Sequence, residues 1–233
     1  MSEWLTPAEW GVVTLSLKVS LVAVAITLPV SYALAWVLAR RRFPGRILLD
    51  AVVHLPLVVP PVVTGWILLV LFGRNGPIGA WLESQFGLVL VFRWSGAALA
   101  AAVMALPLMV RAMRLSIEAV DRRLVDAART LGASPWRAFL SITLPLSAPG
   151  IAAGAMLGFA RSLGEFGATI TFASNIAGQT RTLPLAIYSG LQLPGAELQV
   201  ARLSLISVVL SLAALVISEL LVRRSGGGRA HVL

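Results

Sequence analysis

The chain has 233 residues, 58% hydrophobic and 12% charged, with a mean hydropathy of +0.88 and a formal net charge of +9. A water-soluble domain carries about 25% charged residues, so a chain this apolar needs lipid as its solvent. Cysteine is absent, which excludes disulfides, thiolate metal sites and cysteine nucleophiles.

The first eleven residues hold Glu3 and Glu9 but no Lys or Arg. With no basic leader ahead of a long apolar run, a cleaved signal peptide is not expected. Stretches of roughly the 20 residues that cross a bilayer core fall at 12–39, 48–72, 97–115, 148–172 and 201–222. This pattern predicts an all-α integral membrane protein of about five spans.

Proline marks the first three spans. Pro29 lies in the first, Pro107 in the third, and the second contains Leu55-Pro56-Leu57-Val58-Val59-Pro60-Pro61. Each proline removes a backbone donor and collides with the preceding turn, so the second span should be kinked or locally unwound. Opened backbone is tolerated at membrane depth only against protein or water. Pro60 and Pro61 are therefore candidates for the wall of a pathway, the alternative being a kink that serves packing alone.

The fourth span is interrupted by Arg161 and Glu165, whose spacing of four would put them on one helical face. A lone charge facing lipid at mid-span costs about 2.5–3.5 kcal/mol on insertion scales, so that face must turn into the protein. Two readings follow. Either the residues form an ion pair that locks the fold, or they flank a pathway with Ser162, Arg161 attracting an anion and Glu165 keeping it from binding too tightly. The later apolar run 183–193 is too short to span and contains Pro184, which reads as a re-entrant or surface segment. Residues 1–224 form one membrane domain in this reading, and the glycine-rich residues 225–233 a flexible tail.

The basic residues are not scattered. Arg40, Arg41, Arg42 and Arg46 follow the first span; Arg111, Arg114, Arg122, Arg123, Arg129 and Arg137 separate the third from the fourth; Arg223, Arg224 and Arg229 follow the fifth. The opposite loops hold Arg74, Arg93 and Arg181. By the positive-inside rule this places the N-terminus outside and the C-terminus in the cytoplasm. Topology thus accounts for the charge, and no nucleic-acid partner is expected.

The longest basic loop, 118–146, has its own pattern. Val120, Leu124, Ala127, Ala128 and Leu131 recur at helical spacing. Gly132 supplies a left-handed stop, and Ser134-Pro135 an N-cap followed by proline at the first helical position. Trp136, Phe139 and Leu140 can pin the second helix to the bundle, and Pro145 is expected to end it before the fourth span. The result is a helix–turn–helix elbow at the membrane surface, readable either as a headgroup anchor or as a dock for another protein.

This loop resembles the EAA loop of ABC-importer permeases: Glu-Ala-Ala, three residues, Gly, nine residues, Ile-x-Leu-Pro. Here it reads Asp126-Ala127-Ala128, Gly132, Ile142-Thr143-Leu144-Pro145, both spacings kept and Asp standing for Glu. The resemblance implies a type I importer permease whose elbow couples to an ATPase subunit through Asp126, Ala127, Ala128, Arg129, Leu131, Gly132, Ile142, Leu144 and Pro145. His54-Leu55-Pro56-Leu57-Val58-Val59-Pro60-Pro61, Pro107-Leu108-Met109-Val110-Arg111-Ala112, Phe159–Ile170 and Arg181-Thr182-Leu183-Pro184 narrow it to molybdate permeases, with tungstate and sulfate or thiosulfate permeases sharing parts of these motifs. It further implies a homodimer in the bacterial inner membrane, two ATPase subunits, an external oxyanion-binding protein, alternating access and no cofactor.

Rival readings lack parts. His54 and His231 are the only histidines, no nucleophile–base set can be assembled for an enzyme, and His54 reads as a packed or pathway-lining residue. Gly73-Arg74-Asn75-Gly76-Pro77 lacks the lysine and hydroxyl of a phosphate-binding loop, so ATP hydrolysis is expected of a separate subunit. A stand-alone anion carrier would need its own coupling carboxylates or histidines within the bilayer, where Glu165 alone is available and Arg161 is close enough to occupy it.

Overall fold

A computed structural model describes residues 5–226. The fold is all-α. Helix α1 (Pro7–Arg40) opens with a capping box, in which Thr6 accepts from the Glu9 amide while the Glu9 carboxylate accepts from the Thr6 amide. Then come α2 (Arg46–Val58), α3 (Pro61–Phe72), α4 (Pro77–Phe86) and α5 (Trp94–Glu118). The elbow is α6 (Arg122–Thr130) and α7 (Pro135–Ala138), which a π-turn (Phe139–Thr143) joins to α8 (Leu144–Leu163). Helices α9 (Gly167–Ala173), α10 (Leu183–Leu191) and α11 (Glu197–Gly226) follow.

Among the described residues four helices are long and apolar enough to cross a membrane, giving up to five spans if the bent pair α2–α3 counts as one. The expected tail begins inside α11, which runs through Ser225 and Gly226; the remainder, 227–233, lies outside the described residues.

The core is organised around α5, which packs on α1, α2, α8 and α9. Its alanines Ala97, Ala98, Ala101 and Ala102 meet Val19 and Ala23 of α1. Farther along, Met109, Val110, Met113 and Ile117 pack with Ala35, Leu38 and Val53. The α8 side of this contact is a row of glycines at four-residue spacing, Gly150, Gly154 and Gly158. A Cβ at Gly154 would lie 3.2 Å from the Met109 carbonyl oxygen, and one at Gly158 2.5 Å from the Met109 sulfur. Between helices in lipid, where apolar burial drives little, such close approach supplies the dispersion contact that holds them together.

Two expected spans differ in the structure. The second is not a kinked rod: α2 and α3 meet at a bend of 115°. Pro60 and Pro61 have no N–H to offer the carbonyls of Pro56 and Leu57, so two consecutive helical hydrogen bonds are impossible there. The fourth span begins earlier and ends earlier than 148–172. The elbow's second helix is not terminated by Pro145; it runs on as one apolar helical stretch, Pro135–Leu163. The π-turn makes this possible, because Leu144 N–H bonds back to the Phe139 carbonyl and the wider turn absorbs the proline that follows. The far end stops at Leu163 with Gly164 as cap, leaving Glu165 outside the helix. Within the run 183–193, Leu183–Leu191 forms α10, a short helix with Leu183, Leu185, Ala186 and Gly190 buried and Tyr188 and Leu191 exposed.

Candidate functional site

Two places gather the predicted residues. At one end of the bundle stands the elbow. Asp121 caps α6 by accepting from the Arg123 amide at 2.9 Å. The helix ends in a Schellman turn: Ala133 N–H donates to the Ala128 carbonyl at 3.0 Å and Gly132 N–H to that of Arg129 at 3.1 Å, with Gly132 at φ +89°. Ser134 then caps α7 by accepting from the Arg137 amide.

No residue of α6 is buried. One face carries Leu124, Ala127 and, at its end, Leu131, which is 89% exposed. The opposite face carries Arg122, Val125, Asp126 and Arg129, which line a cleft of about 340 Å³ together with Arg40 and Arg41 at the end of α1. Asp126 therefore sits on the basic face toward α1, while the apolar face stays uncovered. Of the three expected pins, Phe139 does the work, its ring 6.1 Å from Tyr32 and 6.2 Å from Trp36. Trp136 stacks on Phe139 but remains 68% exposed, and Leu140 is also exposed. Ile142 is half-buried in the π-turn, and Leu144 and Pro145 open α8.

At the far end of α8 the two interrupted spans meet. A Cβ on Gly167 would lie 2.7 Å from Pro61 Cβ, and one on Gly65 2.7 Å from the Ala168 carbonyl oxygen, so α3 and α9 touch almost backbone to backbone. Glu165, 3% exposed, closes this junction. One carboxylate oxygen accepts from the Ala168 amide at 2.8 Å and the other pairs with Arg161 at 2.6 Å. The pair expected on one helical face instead spans a helix end. Ser162 is buried beside it, whereas Pro60 and Pro61 are exposed at the bend.

Sequence reasoning missed three polar clusters. Glu9, 1% exposed, receives Arg202 of α11 at 2.8 Å and 3.1 Å. Asp50 of α2 meets Arg114 of α5, which also holds Glu118 at 2.9 Å, and His54 completes the group. Lys18 lies 3.8 Å over the ring of Trp94. A signal was available: Lys18 and Arg202 are charges within apolar spans and therefore demand partners. Arg40 does a different job, donating at 2.9 Å to both the Ile117 and Val120 carbonyls. It thereby ties the end of α1 to the end of α5 where the elbow departs.

Residues 28–226 match the family described as binding-protein-dependent transport system inner membrane component. The molybdenum transport system permease protein ModB of Escherichia coli (strain K12) is 59% identical over 221 residues, covering 95% of this chain and 96% of that protein. Its counterpart in Haemophilus influenzae is 57% identical over 216 residues, 93% and 94% of the two chains. A sulfate transport system permease protein, CysW of Synechocystis, is 36% identical over 219 residues, 93% of this chain and 78% of that one. Among solved structures, the bacterial ABC transporter that imports the acidic polysaccharide alginate superposes with a TM-score of 0.73 at 18% identity, over 94% of this chain and 80% of that one. The methionine ABC transporter MetNI superposes with a TM-score of 0.65 at 17% identity, over 97% and 99%. At such identities these structures speak for the fold, which is that of ABC-importer permeases.

Proposed function

Because the chain belongs to the family of binding-protein-dependent transport system inner membrane components, we propose that it is the permease subunit of an ATP-driven importer whose cargo is molybdate. The two relatives named for molybdenum transport, at 59% and 57% identity over 93% or more of the chain, support that cargo over sulfate, whose relatives reach 43% over 159 residues and 36% over 219. One observation carries the rest: α6 is held out from the bundle by capped turns at both ends, its apolar face covered by nothing among the described residues. A helix anchored only to headgroups would need no such rigid corner. A helix that receives force from a docked ATPase does.

In this reading the elbow faces the cytoplasm and one ATPase subunit seats on each of two elbows. Two copies of the chain pair about a two-fold axis. The bent pair α2–α3 suits that contact or the pathway beside it, since Val52, Leu55, Val58, Val62 and Trp66 are all exposed around the bend. An external binding protein delivers the anion to the far surface, formed by residues 73–95 and 173–200.

ATP-driven closure of the ATPases moves each elbow as a rigid arm. That motion has a direct route. Pro135–Leu163 is one stretch of 29 residues, about 43 Å at 1.5 Å per residue, with the elbow at one end and Arg161 at the other. Phe139 keyed against Tyr32 and Trp36 passes the same displacement to α1. At the far end, α8 acts on the junction of Pro61, Glu165 and Gly167, so tilting it opens or closes the contact between α3 and α9. Arg161 and Glu165 serve as the lock of that junction, because Glu165 is fully engaged by the Arg161 side chain and the Ala168 amide.

The test is ATP hydrolysis by the complex reconstituted with its ATPase and binding protein. Molybdate should stimulate it at concentrations where sulfate does not. Stimulation by sulfate alone would overturn the cargo, and indifference to every oxyanion would overturn the importer reading.

A further inference from the structure

A groove of about 690 Å³ runs between α1 and the α7–α8 stretch, its walls formed by Leu28, Pro29, Tyr32, Trp36, Leu144 and Ile151. At the elbow end it opens directly into the basic cleft, sharing Trp36, Arg41, Pro135 and Phe139 with it. The two cavities are one site with an apolar body and a cationic head. Arg40 is committed to the carbonyls of Ile117 and Val120. That leaves Arg41, Arg122 and Arg129 against the single carboxylate of Asp126, with no ion pair among these residues. Arg41 is held at the seam, its guanidinium 5.3 Å over the Trp36 ring.

We propose that this composite site binds one anionic glycerophospholipid from the leaflet on the elbow side. Its phosphate sits among Arg41, Arg122 and Arg129, and an acyl chain lies along Leu28, Tyr32, Leu144 and Ile151. Charge complementarity selects this occupant. An apolar peptide segment would fill the groove and leave three arginines unpaired, and a free inorganic anion would satisfy the arginines and leave the groove to water. An anionic amphiphile satisfies both. Trp36, at the seam between groove and cleft, is a ring of the kind that favours the membrane interface. The bound lipid bridges α1, α6 and α7, so it stiffens the joint between elbow and bundle.

The site carries its own reporters, Trp36 and Trp136. The permease–ATPase complex is placed in phosphatidylcholine nanodiscs, and phosphatidylglycerol with dibrominated acyl chains is titrated in. A saturable quenching component is expected at low mole fraction, absent with dibrominated phosphatidylcholine and lost in a Trp36→Phe, Trp136→Phe double variant. Arg41→Gln combined with Arg122→Gln should raise the half-saturating fraction by about fivefold per arginine removed. Equal quenching by the two headgroups overturns the proposal, and that comparison uses the wild-type complex, so a misfolded variant cannot hide the failure. The absence of any saturable component also overturns it, because a second copy or the ATPase then fills the groove.

Discussion

Two patches of small residues sit a few turns apart and have opposite fates. Gly150, Gly154 and Gly158 of α8 lie against Ser116, Met113 and Met109 of α5, where a Cβ would clash at Gly150 and Gly158 and fit only tightly at Gly154. Ala127 and Ala128 of α6, in the same half of the chain, meet nothing that buries them, and Leu131 beside them is almost fully exposed. A small-residue stripe covered by its own chain is a fold device. One that is presented on capped turns and left uncovered is a surface waiting for a partner. Mutations in the first should therefore cost stability, and mutations in the second should cost assembly.

The largest effect is expected where the Arg161–Glu165 pair is broken. Glu165→Ala leaves Arg161, whose side chain is a quarter exposed, and the Ala168 amide without an acceptor and should destabilise the protein by about 3 kcal/mol, the lower end for a broken buried pair, read as lost membrane accumulation and a lower Tm. Glu165→Gln keeps an acceptor for Ala168 and should fall between. Normal accumulation of Glu165→Ala would mean that the junction is not a lock and that Arg161 is available to an anion. Next comes the glycine seam. Gly158→Leu forces α8 away from Met109 and should cost about 1–3 kcal/mol, with ATPase binding by the surviving protein unchanged.

On the elbow the ranking reverses from stability to association. A Cβ at Gly132 meets nothing within 4 Å, so Gly132→Val costs only the left-handed backbone, about 1–2 kcal/mol. It should reorient α6 and reduce co-purification of the ATPase while the bundle stays folded. Leu131→Ser should change thermal stability by less than about 0.5 kcal/mol, the smallest effect on the chain itself. It should nonetheless weaken ATPase binding by the roughly 1.5–3 kcal/mol that burial of one leucine contributes, measurable by titration in detergent. Full-affinity binding by Leu131→Ser would remove the distinction between the two stripes.

Much of this protein was legible in the chain because it depends on near neighbours. The apolar stretches, the elbow's caps and the left-handed stop at Gly132 are encoded within a few residues; the structure places the Ser134 cap and the Gly132 stop as expected, whereas the second and fourth spans differ. Helix ends inside the membrane were not legible. Apolar residues resume after Arg161 and Glu165 as far as Ile170, so hydropathy read one interrupted span where the backbone makes α8, a break and α9. The double proline announced an interruption, but its 115° angle depends on α3 packing against α9, which lies about a hundred residues away.

The sequence by itself determined that the chain lives in lipid, where its long apolar helical stretches lie, and that an elbow with importer spacing separates the third and fourth spans, but not the short helices α4 and α10. These follow from composition and from periodicities no longer than a helical turn or two. Only the tertiary structure decided that Glu9 belongs with Arg202, 193 positions later, and that Arg161 and Glu165 clasp across a helix end. The same holds for the two faces of α6, one turned to a basic cleft and the other left open. The physical reason is range. Lipid demands that every backbone group and charge inside it find a partner, but which partner is settled by packing among helices that are distant in the chain.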